Sequence, residues 1–364
     1  MPPISSNTDD PMPNHDQLAP LSPRAFAPYA NPRDYILSWT DEIWINRALG
    51  RIHEHYAADI KVHTAYGETY GLDLVIRNSV QKFSAFPNGG GGSGEDVIWE
   101  QRGANGFISS HRVLKTGTHS GYWTYGPPTG RDWISRTIAH CLVRDGKVVE
   151  EWLVRDEYAV LQSLGLDPEQ VAASVSVSSP VTAGVIEMDT AGAFAGAYPD
   201  PSVEGVSGSR PVRYQAECEL VRNMVDAVWN QRRFDLAPTF CDSKVVCHLV
   251  RMRRCQGIDP YQLAVIDLLA AFPDGRMEIR DLAVNESADL GLRVAVIWVL
   301  HGTYSGVPLY GKPTGSPVKI LGASHYEFRD GKILREWRIY DEIAVLAQIL
   351  KARRASQQGV SGGH

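Results

Sequence analysis

The sequence states one pattern twice. Residues 126–156, GPPTGRDWISRTIAHCLVRDGKVVEEWLVRD, are echoed by residues 311–341, GKPTGSPVKILGASHYEFRDGKILREWRIYD, at a constant offset of 185. Gly126 and Gly311, Gly130 and Gly315, His140 and His325, Trp152 and Trp337, and Asp156 and Asp341 all obey it. The same shift relates Trp44 to Trp229, His63 to His248, and GTHSG (117–121) to GTYSG (302–306). A register kept over 31 positions marks a tandem duplication. The chain must therefore fold as two like units, and residues kept in both copies are the first candidates for architecture or chemistry.

The first copy is expected over 31–167 and the second over 212–353, each long enough for its own core. Residues 1–30, proline-rich and polar, read as a disordered tail, 168–211 as a linker rich in Ala, Ser, Val, Gly and Pro, and 354–364 as a loose tail. The N-terminus lacks a basic stretch followed by an apolar run, and no window has the ~18 apolar residues of a membrane span. These features point to a cytoplasmic protein. With 43% hydrophobic and 21% charged residues and a net charge of −6, nothing favours nucleic acid as a partner. A small-molecule substrate is the expected partner.

Five cysteines form no disulfide framework. Cys241, Cys247, His248 and Cys255 crowd together but lack a CxxC pair, so structural thiols are favoured over a metal site, and no metal or cofactor is expected. The glycine run at 89–94 is followed by no Gly-Lys-Ser/Thr and reads as a flexible hairpin or insertion.

Within each copy, apolar residues at helical spacing (34–56 and 219–240, then 72–86 and 258–272) precede four strand-like segments, at about 276–288, 291–303, 317–330 and 332–341 in the second copy. Phe-Pro stops the second helix, and Asp145-Gly146 and Asp330-Gly331 suit tight hairpins. Helices followed by a meander of strands predict an α+β fold. It consists of two tandem cone-shaped domains, each a curved antiparallel sheet wrapped over N-terminal helices with an internal pocket. The two copies are expected to pair through their sheets as an intramolecular pseudo-dimer, with further homo-oligomerisation left open.

Alternation along the last strand puts Trp152, Val154 and Asp156 on one face, as it does Trp337, Ile339 and Asp341, with Glu151 and Arg155 opposite. If that apolar face lines the pocket, burial raises the aspartate pKa towards neutrality and suits it to proton transfer. The competing reading makes Asp156 and Asp341 N-caps of the following helices. His140 and His325 lie one strand away, across the Asp-Gly turn. His63 and His248 add further donors or acceptors. Arg131 and His119, present only in the first copy, and the paired tryptophans Trp44, Trp152 and Trp337 complete the candidate substrate-binding set.

The runs GTHSG, GPPTGR and DGKVVEEWLVRDEYAVLQSLG, with YAADIKVHTAYGETYG (56–71), resemble SnoaL-like polyketide cyclases of the nuclear transport factor two-like superfamily, which also holds ketosteroid isomerases and scytalone dehydratases. The likeness covers most of both copies and is closer in the first. It implies a cofactor-free acid/base cyclase, isomerase or dehydratase acting on a small apolar carbonyl compound, with Asp156 and His140, and Asp341 and His325, as proton-transfer pairs. The same fold also serves as a non-catalytic ligand-binding or scaffold module. A related epoxide hydrolase arrangement, Asp-Arg-Asp, is matched only in part by Arg131 with Asp156.

Overall fold

A computed structural model describes residues 20–88, 92–177, 185–186 and 214–361. Each copy opens with helical segments. The first has α1 (Pro32–Thr40) and the short α2 (Ile52–His55), and the second has its counterparts in Gln215–Met224 and Ala237–Phe240. The helical periodicity over 34–56 predicts one continuous element, but the chain breaks after a π-turn at Asp41–Ile45, where Arg47 takes a positive φ of 61°. The second copy breaks identically at Arg232, with φ 59°. Apolar spacing alone does not reveal the kink, because the residues on both sides of it stay on the buried face.

The strands of the first copy are β1 (Tyr56–Thr64), β2 (Gly67–Tyr70), β3 (Gly92–Gln101), β4 (Gly106–Thr118), β5 (Asp132–Arg144) and β6 (Lys147–Arg155), with α3 (Leu72–Ala85) between β2 and β3. Their order in the sheet is β3-β4-β5-β6-β1-β2, extended at its edge by the two-residue β7 (Val185–Ile186). The second sheet follows the same plan, with β8 (Cys241–His248), β9 (Arg254–Gln256), β10 (Arg276–Ser287), β11 (Gly291–Thr303), β12 (Pro317–Arg329) and β13 (Lys332–Tyr340) in the order β10-β11-β12-β13-β8-β9. The fold is α+β, two open cones. The sheets are mixed rather than wholly antiparallel, because β1 pairs parallel with β6 and β8 with β13.

Three expectations for the flanking segments need correction. Within 1–30, residues 23–25 form a 3₁₀ turn with Ala25 fully buried; residues 1–19 lie outside the described set. The 168–211 segment begins with a helix, Pro168–Val177, whose Val171 and Ala172 are buried against the second copy. The 354–364 tail belongs mostly to a helix from Glu342 to Ser361. Ala25 packs into the first copy's own core, and Val171 and Ala172 into that of the second, cover that composition does not report. Of the glycine run, residues 89–91 lie outside the described set and Gly92 opens β3, opposite Lys115.

The two sheets face each other. Ile98, Ile108, Ile138, Leu142, Trp152 and Val154 from the first form one apolar cluster with Ala283, Ala295, Ile297, Val299, Leu321, Ala323 and Ile339 from the second. Polar groups inside this layer are paired across it, as burial requires. His140 Nε2 lies 2.9 Å from Asp281 Oδ2, the Val284 amide donates to Glu100 Oε2 at 3.0 Å, and Arg293 is salt-bridged to Asp96. No helix among the described residues is long and apolar enough to cross a membrane.

Candidate active site

The layer between the sheets overturns the assignment of the last-strand faces. Trp152 and Val154 face the other copy, and the cone interior is lined instead by Glu151, Leu153 and Arg155. Both faces of β6 are buried, one by helices and one by a second sheet, so an apolar face does not distinguish pocket from interface.

The expected histidines follow the interface parity. His140 bonds Asp281, whose carboxyl is held down to about 2, against the opposing effect of burial, by that hydrogen bond and by Arg102. His325 lies 2.8 Å from Ser110 Oγ through Nε2, while its Nδ1 accepts from Arg112 at 3.2 Å. That pairing makes Nε2 the protonated nitrogen, and burial together with Arg112 holds the ring neutral. His63 stacks on Trp152 at 4.9 Å between rings and bonds Glu150; His248 stacks on Trp337 at the same distance. Trp337 also carries the Arg112 guanidinium 3.6 Å from its ring centroid. His119 is buried against Phe86 and Thr129, and Arg131 reaches the Leu164 carbonyl. None of these eight residues lines the cavity. Of the expected set, the structure brings only Trp44 and Asp341 to it.

Asp156 and Asp341 both cap helices. Asp156 accepts from the Ala159 amide at 3.2 Å at the start of α4 (Glu157–Leu164), and also from the Met252 amide of the other copy at 3.3 Å. Asp341 accepts from Ile343 and Ala344 at 2.8 and 3.2 Å, and its carboxyl meets the Tyr66 hydroxyl of the first copy. The arrangement is reciprocal, each cap packing on the β-turn of the other copy. Burial pushes Asp156 up to about 7 and, with the neighbouring Glu157 charge, Asp341 up to about 8.

The first cone holds a partly open cavity of about 390 Å³, in the range of small-molecule sites. Its apolar walls include Trp44, Val62, Val75, Val113 and Leu153, and its ionisable lining comprises Lys82, His111, Lys115, Glu151, Arg155 and Glu157. One wall is foreign: Asp341, Ile343, Ala344, Ala347, Gln348 and Lys351 come from the second copy's last helix. Glu151 is raised by burial, tempered by Arg155 and Lys115, and accepts from the Tyr56 hydroxyl at 3.4 Å. Burial and Arg155 hold Lys115 down to about 8, and burial with Lys115 and Arg112 holds His111 to about 3, a neutral ring. The His111 Nε2 atom is buried without a partner.

The second cone carries large apolar side chains at positions that line the first cavity. At the 185 offset, Ser109, His111, Val113 and Lys115 become Val294, Val296, Trp298 and Leu300, all in one buried cluster. Along the helix Ile258–Ala271 the offset is 186, and Ser79 and Lys82 become Val265 and Leu268. The Trp298 ring occupies the space over Gly322, where a Cβ would lie 2.1 Å from it, and its Nε1 donates to Ser324. Glu336, the counterpart of Glu151, is neutralised by Arg338 at 2.7–2.8 Å, and Leu153 stands in the place of that arginine in the first copy. The expectation of a pocket in each copy therefore holds for the first, whereas in the second these positions carry large apolar side chains.

Sequence reasoning missed Lys82, Lys115, Glu151 and the contribution of the last helix. Searching for residues kept in both copies selected the shared interface, whereas the signal for the cavity was the reverse: polar residues present once and replaced by apolar ones 185 positions later.

The model of the SnoaL-like polyketide cyclase family matches residues 35–164 and again 219–349. A search of curated proteins gives no match. Among solved structures, a protein from Jannaschia sp. CCS1 described as a SnoaL-like polyketide cyclase is 20% identical, with 37% of this chain and 92% of that one covered and a TM-score of 0.34. One from Acidithiobacillus ferrooxidans, described as a polyketide cyclase, is 24% identical over 39% of this chain and 98% of its own, with a TM-score of 0.33. The two family matches fall on the two cones and together take in well over half of the sequence, so the chain belongs to the SnoaL-like polyketide cyclase family, which it represents twice over.

Proposed function

We propose that the chain is a cofactor-free acid/base enzyme, a cyclase or isomerase of a small apolar carbonyl compound, and that its chemistry takes place in the first cone. The observation that carries this reading is a buried carboxylate and a buried ammonium, Glu151 and Lys115, facing one apolar cavity whose equivalent lining positions in the second copy are buried apolar residues. A carboxylate raised by burial is a better base near neutral pH. In this reading Glu151 removes the proton alpha to the carbonyl, and the Lys115 ammonium stabilises the enolate oxygen in a site of low dielectric. Trp44, Val113 and Leu153 hold the carbon skeleton for ring closure or proton return. Tyr56 orients Glu151 through its hydroxyl. As part of the same proposal, the second copy serves as an internal pseudo-dimer partner that supplies one wall, and Asp156, His140 and His325 hold the two copies together.

The test is α-proton exchange. Small cyclic ketones and β-keto esters incubated with the protein in D₂O are expected to lose their α-proton NMR signals faster than without it. The Glu151→Gln variant is expected to lose a factor on the order of 10²–10⁴ of that rate, the usual contribution of a general base. Exchange that proceeds equally in the Gln variant removes the assignment. Binding without exchange in the wild type favours the alternative, a ligand-holding module.

A further inference from the structure

Buried charges in proteins are paired or coordinate an ion, because an isolated charge in an apolar interior loses its hydration without compensation. The first cavity departs from this rule in one direction. Lys115 meets the Trp44 ring, its ammonium 5.9 Å from the centroid, and Lys82 rests 5.7 and 5.8 Å from the centroids of Trp123 and Trp133. Among the described residues neither ammonium has an ion-pair or hydrogen-bond partner. Arg155 approaches Glu157 only at 4.0 Å through Nη1, and its Nε is buried without a partner. Glu157 is already engaged by the Tyr125 hydroxyl, and Glu151 by Tyr56. Besides Lys351 at the last helix, three basic groups thus face two occupied carboxylates, and burial, then the Arg155 charge, disfavours both ammonium groups. Asp341, protonated at neutral pH, does not offset them.

We infer that the ligand of this cavity is an anion, an apolar ring compound carrying a carboxylate, with the carboxylate seated between Lys82, Lys115 and Arg155. A carboxylate supplies the acceptors that these three groups lack, and charge-assisted hydrogen bonds of this kind are about twice as strong as neutral ones. The ring of such a compound meets Trp44, Tyr56 and Trp123, all in the cavity wall. The second copy is consistent with this reading. Where Lys82 and Lys115 are replaced by Leu268 and Leu300, the buried Arg338 is matched by its own carboxylate, Glu336. The inference narrows the substrate class of the proposed enzyme and rests on that reading for the location of the site and for Lys115, which both use.

Two probes of one shape separate charge from shape: 2-naphthoate and the neutral 2-naphthamide, titrated calorimetrically into the full-length protein. The carboxylate is expected to bind on the order of tenfold tighter, as one or two charge-assisted bonds allow. Lys82→Met and Lys115→Met are each expected to reduce that preference, and Lys115→Arg to retain it, with folding of every variant checked by circular dichroism. Equal binding of the two probes, no binding of either, or a preference that survives both Met substitutions overturns the inference. The Glu151→Gln variant keeps the two questions apart. The carboxylate preference should persist in it even though proton exchange is lost. A preference without any exchange in the wild type leaves the anion site standing and removes the enzyme, and exchange of neutral ketones with no preference does the converse.

Discussion

Asp341 shows how much a single residue's place in the sequence conceals. The pattern W-x-x-x-D and the following helix leave two roles open, and the structure gives Asp341 the cap of its own helix while setting it in the wall of the other copy's cavity. It faces Glu157 from α4, Tyr66 from the β1–β2 turn and the amides of Ile343 and Ala344. Its ordinary pKa of 3.8 rises to about 8 on folding. Between these values the unfolded chain releases a proton that the folded chain keeps, so this group's contribution makes the protein less stable as pH rises through that window. Asp341→Asn keeps a good cap and removes the ionisation. It is expected to raise Tm at pH 8 by roughly 2–4 °C for each kcal/mol recovered, and to leave Tm unchanged near pH 4. Thermal melts at the two pH values measure this, and a variant that melts lower at pH 8 than the wild type contradicts the burial argument.

Among the elements, those fixed by local chemistry were legible in the sequence. The four strands of the second meander begin and end within a residue or two of the segments bounded by Asp-Gly turns, and Asp330 at φ 50° and Gly331 at φ 71° show why that dipeptide sits there. Which face of β6 looks inward was not legible, because period two is satisfied by Trp152 and Val154 against a sheet as well as by Leu153 against a cavity. Nor did the sequence reveal that the last helix walls a cavity 185 residues away in the repeat, since its apolar stripe reads the same whatever it covers. That helix yields an element-scale prediction. Ala347→Phe, a change in the second copy, pushes a ring towards the first cavity and is expected to weaken 2-naphthoate binding by about tenfold, at a stability cost of about 1–3 kcal/mol. Calorimetry with the folded variant decides it. Unchanged affinity means that this wall does not touch the ligand.

At the scale of the whole molecule, the two copies differ in what lines their interiors. The first cone keeps charged groups around open space, and the second has replaced them with Val294, Val296, Trp298 and Leu300, all buried in one apolar cluster. Apolar side chains at these positions gain burial that charged ones forgo, which fits the proposed supporting role of the second copy. The duplication preserved interface residues, His140 as His325 and Trp152 as Trp337, so internal similarity marks the seam of the molecule and internal difference marks the cavity lining. The central claim is that function belongs to the first cavity. Its most direct test gives the first copy the filling of the second, Val113→Trp with Thr137→Gly, the pair that corresponds to Trp298 over Gly322. The doubly substituted protein, shown to be folded by circular dichroism, is expected to lose both α-proton exchange and 2-naphthoate binding. Retention of either in the filled protein would contradict the account and move the site elsewhere.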